Sequence, residues 1–203
     1  MVTSRSLDDD LWFSRWTRKT LQWIFLAFIV YVTLKWPFIW FFDTMLTEIG
    51  FLYVYMWSLP EAAILYFVAF RLRVRWTSTF IIGLAGIIGA PIDFYYEWVI
   101  QSNLNAPIFA FMYIPLFLIR GLSADISLMM LYPERNPLRT SLVSSFIFTV
   151  IVLSTTVFAE FFFYPSPGLF LSVGSFLIPY CLATGTIGGY LGFTIARDTQ
   201  DST

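Results

Sequence analysis

The sequence predicts an all-α integral membrane protein, a bundle of six transmembrane helices with both termini on the cytoplasmic side. Three observations predict it. Of 203 residues, 58% are hydrophobic and only 12% are charged, against about a quarter charged in an ordinary soluble chain. Apolar stretches close to the roughly twenty residues needed to cross a bilayer recur six times along the chain. Lys and Arg gather in alternate connectors, the pattern of a chain threaded back and forth with its positive charge on one side.

Residues 1–19 are polar, with Asp8, Asp9 and Asp10 followed by Arg15, Arg18 and Lys19. They are expected to form a cytoplasmic segment. A cleavable signal peptide does not fit, because the apolar run that follows is as long as a full span and has no small-residue cleavage site. The first span is Leu21 to Phe42, and the second is Ile49 to Phe70. Pro60 and Glu61 interrupt the second, so it reads either as one helix or as two half-helices. The remaining spans are Thr77 to Ile100, Pro107 to Tyr132, Ser141 to Phe163 and Leu169 to Ala196. Short separators carrying Pro, Gly or Asn stand between several of them. The transmembrane domain is thus expected over residues 20–196, with a cytoplasmic tail at 197–203.

Orientation follows from the basic residues. Arg71, Arg73 and Arg75 fill the second connector, Arg135 and Arg139 the fourth, and Arg197 opens the tail, whereas the first, third and fifth connectors carry no Lys or Arg. Six spans put every basic connector on the cytoplasmic side. The expected location is the cell membrane, as a multi-pass protein in contact with lipid.

Composition also excludes chemistries. There is no histidine, and Cys181 is the single cysteine, so no intrachain disulfide forms and no metal site is expected. A net charge of -1 gives no nucleic-acid footprint. No polar block is large enough for an ATPase or redox domain, and no cofactor is expected. Enzymatic activity is not expected either. Asp93 and Glu97 are conceivable as an intramembrane acid and base, but the chain has neither a Gly-x-Ser-x-Gly elbow nor a phosphate loop.

Ionisable residues inside spans are costly and therefore informative. Counted along the helices, Glu48, Asp93, Glu97 and Glu160 fall in the outer part of the membrane, where Lys35 can also snorkel. Glu61 and Arg120 fall near the middle, and Asp125 lies toward the cytoplasm. Arg120 is expected to be neutralised by Glu61 or by Asp125 as a structural charge pair, the second being the poorer match because it is five residues away on the same helix. Asp93 and Glu97 are four apart and share a helix face. They are hydrated acids near the surface, or salt-bridged to Lys35, or ligand contacts.

Rings crowd the same outer depth, among them Trp57, Tyr96 and Trp98. Trp and Tyr form interfacial belts in most membrane proteins. Together with acids, they also suit a flat cationic or hydrogen-bonding ligand held by stacking and cation–π contact. The site so predicted opens to the outside between the first, second, third and fifth helices. Asp93, Glu97 and Glu160 would be its acid contacts, and Trp57, Tyr96 and Trp98 its stacking surfaces. Gly185-x-x-x-Gly189 and Gly188-x-x-x-Gly192 on the sixth helix permit close helix contact, within the bundle or against another subunit.

Three stretches carry a family resemblance: Ser58-Leu59-Pro60-Glu61-Ala62-Ala63, Arg120-Gly121-Leu122-Ser123-Ala124-Asp125 and the glycine-rich Gly185 to Gly192. With the six-helix layout, they make the chain resemble the S components of energy-coupling factor vitamin transporters, nearest the hydroxymethylpyrimidine or thiamin-precursor branch. The resemblance implies a substrate-binding subunit for a small heteroaromatic, cationic solute. It also implies a transmembrane coupling subunit and cytoplasmic ATPases as partners. A departure lies in the first span, whose only alanine is Ala27, where many S components present an Ala-x-x-x-Ala contact. The alternative is a non-catalytic accessory subunit that braces a larger membrane complex, such as a membrane oxidoreductase.

Overall fold

The computed structural model describes residues 16–45, 52–95, 106–131, 136–163 and 168–201. Among them are six helices and no strand: α1 (Arg18–Met45), α2 (Leu52–Leu72), α3 (Thr77–Tyr95), α4 (Ala106–Leu131), α5 (Pro137–Phe163) and α6 (Gly168–Asp201). Within α1, α4, α5 and α6 lie segments long and apolar enough to cross a membrane, and α3 contributes a shorter apolar helix. This is the build of a helical membrane protein. α2 runs unbroken through Pro60, so the half-helix alternative for the second span does not apply. α6 continues five residues past the expected end at Ala196.

Local chemistry starts two of these helices. At α1 the backbone N–H of Thr17 donates to Thr20 Oγ1 at 2.7 Å and that of Thr20 to Thr17 Oγ1 at 3.2 Å, a reciprocal cap. At α5 the Asn136 side-chain oxygen accepts the Arg139 N–H at 3.2 Å, and Pro137 takes the first helical position, where its missing N–H costs nothing. The α2–α3 connector is tighter. Arg73 and Trp76 both adopt left-handed backbone, with φ of 51° and 65°, each costing about 1 kcal/mol for a side chain with a Cβ.

α2 is central and packs on α1, α3, α5 and α6, while α4 bridges α3 and α5. α1 lies in the groove of α2 and α3. The closest helix pair is α2 with α6. A Cβ on Gly188 would collide with the carbonyl oxygen of Leu59, and one on Gly192 with that of Ala63. The glycines of α6 therefore let two backbones touch inside the bundle, and Ser58 Oγ and Thr184 Oγ1 add a hydrogen bond of 2.8 Å across the same seam.

Polar and apolar residues are distributed inside out relative to a water-soluble protein. Lys35, Glu61, Arg120 and Asp125 are buried, while Trp23, Phe25 and Phe176 lie on the outside, the last 78% exposed. Such an exterior suits hydrocarbon, and such an interior is where charges in a membrane bundle belong. α5 is the most hydroxylated wall. Its buried Thr140, Ser141, Ser144, Ser145 and Thr149 donate to carbonyls of nearby residues, for example Ser144 to Thr140 at 2.6 Å and Thr149 to Ser145 at 2.7 Å. The small hydroxyls are thus satisfied by their own helix, and neighbouring helices can approach closely.

Candidate functional site

Buried charge is organised around three centres, the first two sharing the Phe117 ring. The first joins α1 and α2. Tyr31 Oη donates to Glu61 Oε1 at 2.6 Å, and Lys35 Nζ donates to Tyr31 Oη at 3.1 Å. Lys35 and Tyr31 are one helical turn apart, so α1 presents both to the same interior face. Lys35 Nζ also stands 3.9 Å from the centre of the Phe117 ring on α4, a close cation–π contact. Chained in this way, the phenol mediates between an ammonium and a carboxylate that do not touch directly.

The second centre is Arg120 on α4, which is 92% buried by its 8% exposure. Its Nε donates to Thr155 Oγ1 at 2.7 Å and its Nη2 to Thr156 Oγ1 at 2.8 Å, both on α5. The two hydroxyls in turn donate to the Val152 carbonyl at 2.9 and 2.8 Å. Their protons are committed there, leaving their lone pairs for the guanidinium. The Phe117 ring lies on another side of the group, 5.5 Å from Cζ.

The third centre is Asp125. Its carboxylate accepts the backbone N–H groups of Ser78 at 3.2 Å and Thr79 at 2.7 Å, and the Thr79 hydroxyl at 2.7 Å. These are first-turn N–H groups of α3, which have no partner within their own helix. Trp76, the residue before α3, has no side-chain oxygen to cap them, so a carboxylate from α4 does so at the positive end of the helix dipole. Gly121, one turn earlier on α4, makes this possible: a Cβ there would come within 2.6 Å of Thr79 Cα and 3.0 Å of the Ser78 oxygen.

The charge pair expected for Arg120 takes a different form. Its hydrogen bonds go to Thr155 and Thr156, Glu61 takes Tyr31, and Asp125 takes the start of α3. Rotation explains the separation from Asp125, because five residues at about 100° each put the two side chains some 140° apart on α4. Glu61 sits on α2, which does not pack along α4.

Of the predicted stacking surfaces, Trp57 is described. It is buried, packs edge-on against Tyr31 with centroids 6.1 Å apart and meets Phe38 at 5.4 Å. Its indole Nε1 is buried and makes no close hydrogen bond beyond an interaction with the Tyr31 side chain. Asp93 lies on α3 and Glu160 on α5, but their side chains, and the whole of Tyr96, Glu97 and Trp98, lie outside the described residues.

Comparison with protein-family models, curated proteins and solved structures finds no match to this chain. Function is accordingly argued from the geometry. Among the described residues no three side chains are grouped to hold a metal ion.

Sequence reasoning passed over Tyr31, Phe117, Thr155 and Thr156. Tyr31 carried a signal, standing four residues before an intramembrane Lys where its hydroxyl and ring both meet the ammonium. The threonine pair carried one as well, since adjacent hydroxyls at the depth of a buried Arg are the neutral donor and acceptor groups that a membrane interior most readily supplies.

Proposed function

We propose that the chain is a six-span membrane protein with cytoplasmic termini, and that it serves as the solute-binding subunit of a transporter for a small heteroaromatic compound. The supporting observation is Trp57. Its indole N–H is buried and makes no close hydrogen bond beyond an interaction with the Tyr31 side chain, and it stands beside the rings of Tyr31 and Phe38, contacts suited to a flat solute carrying an acceptor atom. The outer acids Asp93, Glu97 and Glu160 are assigned to basic nitrogen on such a solute. A coupling subunit and ATPases, as in the S-component systems that the sequence resembles, are the partners in this reading.

Thermal unfolding of the purified protein with and without hydroxymethylpyrimidine and thiamin tests the reading. A saturable rise in midpoint is expected, reduced at least several-fold in ligand sensitivity by Trp57→Phe, which keeps the ring contacts and removes the N–H. Absence of any saturable shift with these compounds and with a wider set of heteroaromatics would overturn it and leave the bracing role.

A further inference from the structure

The structure assigns to Arg120 a role as anchor for a carboxylate group, presented by the solute in the interior of the bundle. The inference rests on the solute-binding reading above and deepens it by specifying an acidic group on the ligand.

A guanidinium has five N–H donors in a planar fork. The contacts of Arg120 with the protein use Nε and one hydrogen of Nη2, both directed at α5. That is one edge of the fork. The other edge, Nη1 with the second hydrogen of Nη2, has no hydrogen-bond partner among the described residues, although the residue is 8% exposed. Partners on the occupied edge are neutral hydroxyls, so the positive charge is held in position without being neutralised. A full charge so placed in a membrane interior is stabilised strongly by an anion.

Geometry narrows the choice of anion. Threonine hydroxyls back-bonded to Val152 cannot rotate away without losing those bonds, so the guanidinium plane is fixed before any ligand arrives. A fixed fork with a vacant two-hydrogen edge matches the two oxygens of a carboxylate in the end-on bidentate arrangement. The carboxylates within the described interior are engaged elsewhere, Glu61 by Tyr31 and Asp125 by the start of α3. Phe117 beneath the cation supplies an apolar contact in the same interior. A small aromatic acid fits these features. So does the head of a fatty acid drawn from the bilayer, which shares the carboxylate but brings a tail in place of a ring.

The test measures binding to the purified full chain in detergent, by thermal shift and by tryptophan fluorescence. Four probes are used: pyridine-3-carboxylate, its neutral isostere pyridine-3-carboxamide, hydroxymethylpyrimidine and oleate. The expected result is saturable binding of the pyridine carboxylate, at least about ten-fold tighter than the amide, with that preference lost in Arg120→Gln and reduced in Arg120→Lys, which keeps charge but not the fork. The Thr155→Val, Thr156→Val double variant should lower the carboxylate-to-amide ratio. The comparison of acid with amide in the unaltered protein needs no variant, so a poorly folding Arg120→Gln does not block the answer. Equal affinity for acid and amide overturns the anchor. If the amide or hydroxymethylpyrimidine still binds, solute binding itself stands. Binding of none of the four overturns both. Arg120-dependent binding of oleate alone keeps the carboxylate anchor, names a lipid as its source and overturns the heteroaromatic reading.

Discussion

Asp125 caps a helix that is not its own: its carboxylate on α4 accepts the backbone N–H of Thr79 at 2.7 Å, in the first turn of α3. The arrangement links two helices by a bond type usually formed within four residues of sequence. It makes the α3–α4 contact directional, since only the N-terminal end of α3 offers free N–H groups.

Replacing Asp125 should therefore cost more than removing a surface charge. Asp125→Ala is expected to destabilise the bundle by about 1–3 kcal/mol, read from the unfolding of purified protein in mixed detergent. Asp125→Asn, which keeps an accepting oxygen, should lose clearly less. Equal losses for the two variants would mean that charge and not capping is what matters.

Glycine positions should divide by what they face. A Cβ at Gly121 meets the backbone of Thr79, which has nowhere to go, whereas one at Gly83 meets the end of the Leu118 side chain. Gly121→Ala is expected to lower stability by about 1–3 kcal/mol, and Gly83→Ala to be nearly neutral once Leu118 changes rotamer. Comparable thermal midpoints for the two variants would contradict the close approach of α3 and α4.

The α1–α2 chain predicts coupling between Tyr31 and Glu61. Tyr31→Phe removes the donor to Glu61 and should cost about 0.6–2 kcal/mol. In a cycle with Glu61→Gln the two effects should be non-additive by at least about 0.5 kcal/mol. Strict additivity would separate the residues.

Topology is open to direct labelling. With Cys181 replaced by serine, a cysteine at Asn103 or Ser166 should react with an impermeant maleimide added outside intact cells, and one at Arg73 should react only after the membrane is opened. Labelling of Asn103 only after opening would invert or renumber the spans.

Much of the helical layout was legible in the sequence because it depends on length and polarity. Runs of apolar residues and their breakers place the helices in the described parts of the chain to within a few residues, and α2 shows that one proline need not end a run in a bundle where neighbouring helices support it. The partners of the charges were not legible. Whether Arg120 meets Glu61, Asp125 or Thr155 depends on how α4 is rotated and on which helices it neighbours, and neither follows from depth along the chain. Depth alone put opposite charges together; rotation and helix adjacency kept them apart. Of the predicted outer site, only Trp57 has a described side chain, and its burial against Tyr31 and Phe38 could not have been read from composition.

The backbone contact of α6 with α2 has a consequence for biosynthesis. α2 is made well before α6, yet Gly188 and Gly192 rest directly on the carbonyls of Leu59 and Ala63. Until α6 has left the ribosome, the face of α2 that bears those carbonyls has no permanent neighbour. The central helix must then wait in lipid, or against an insertion factor, for α6 to dock. A chain shortened after α5 would be left with an open seam, so quality control has a simple cue: exposure of α2 marks a molecule whose synthesis is incomplete.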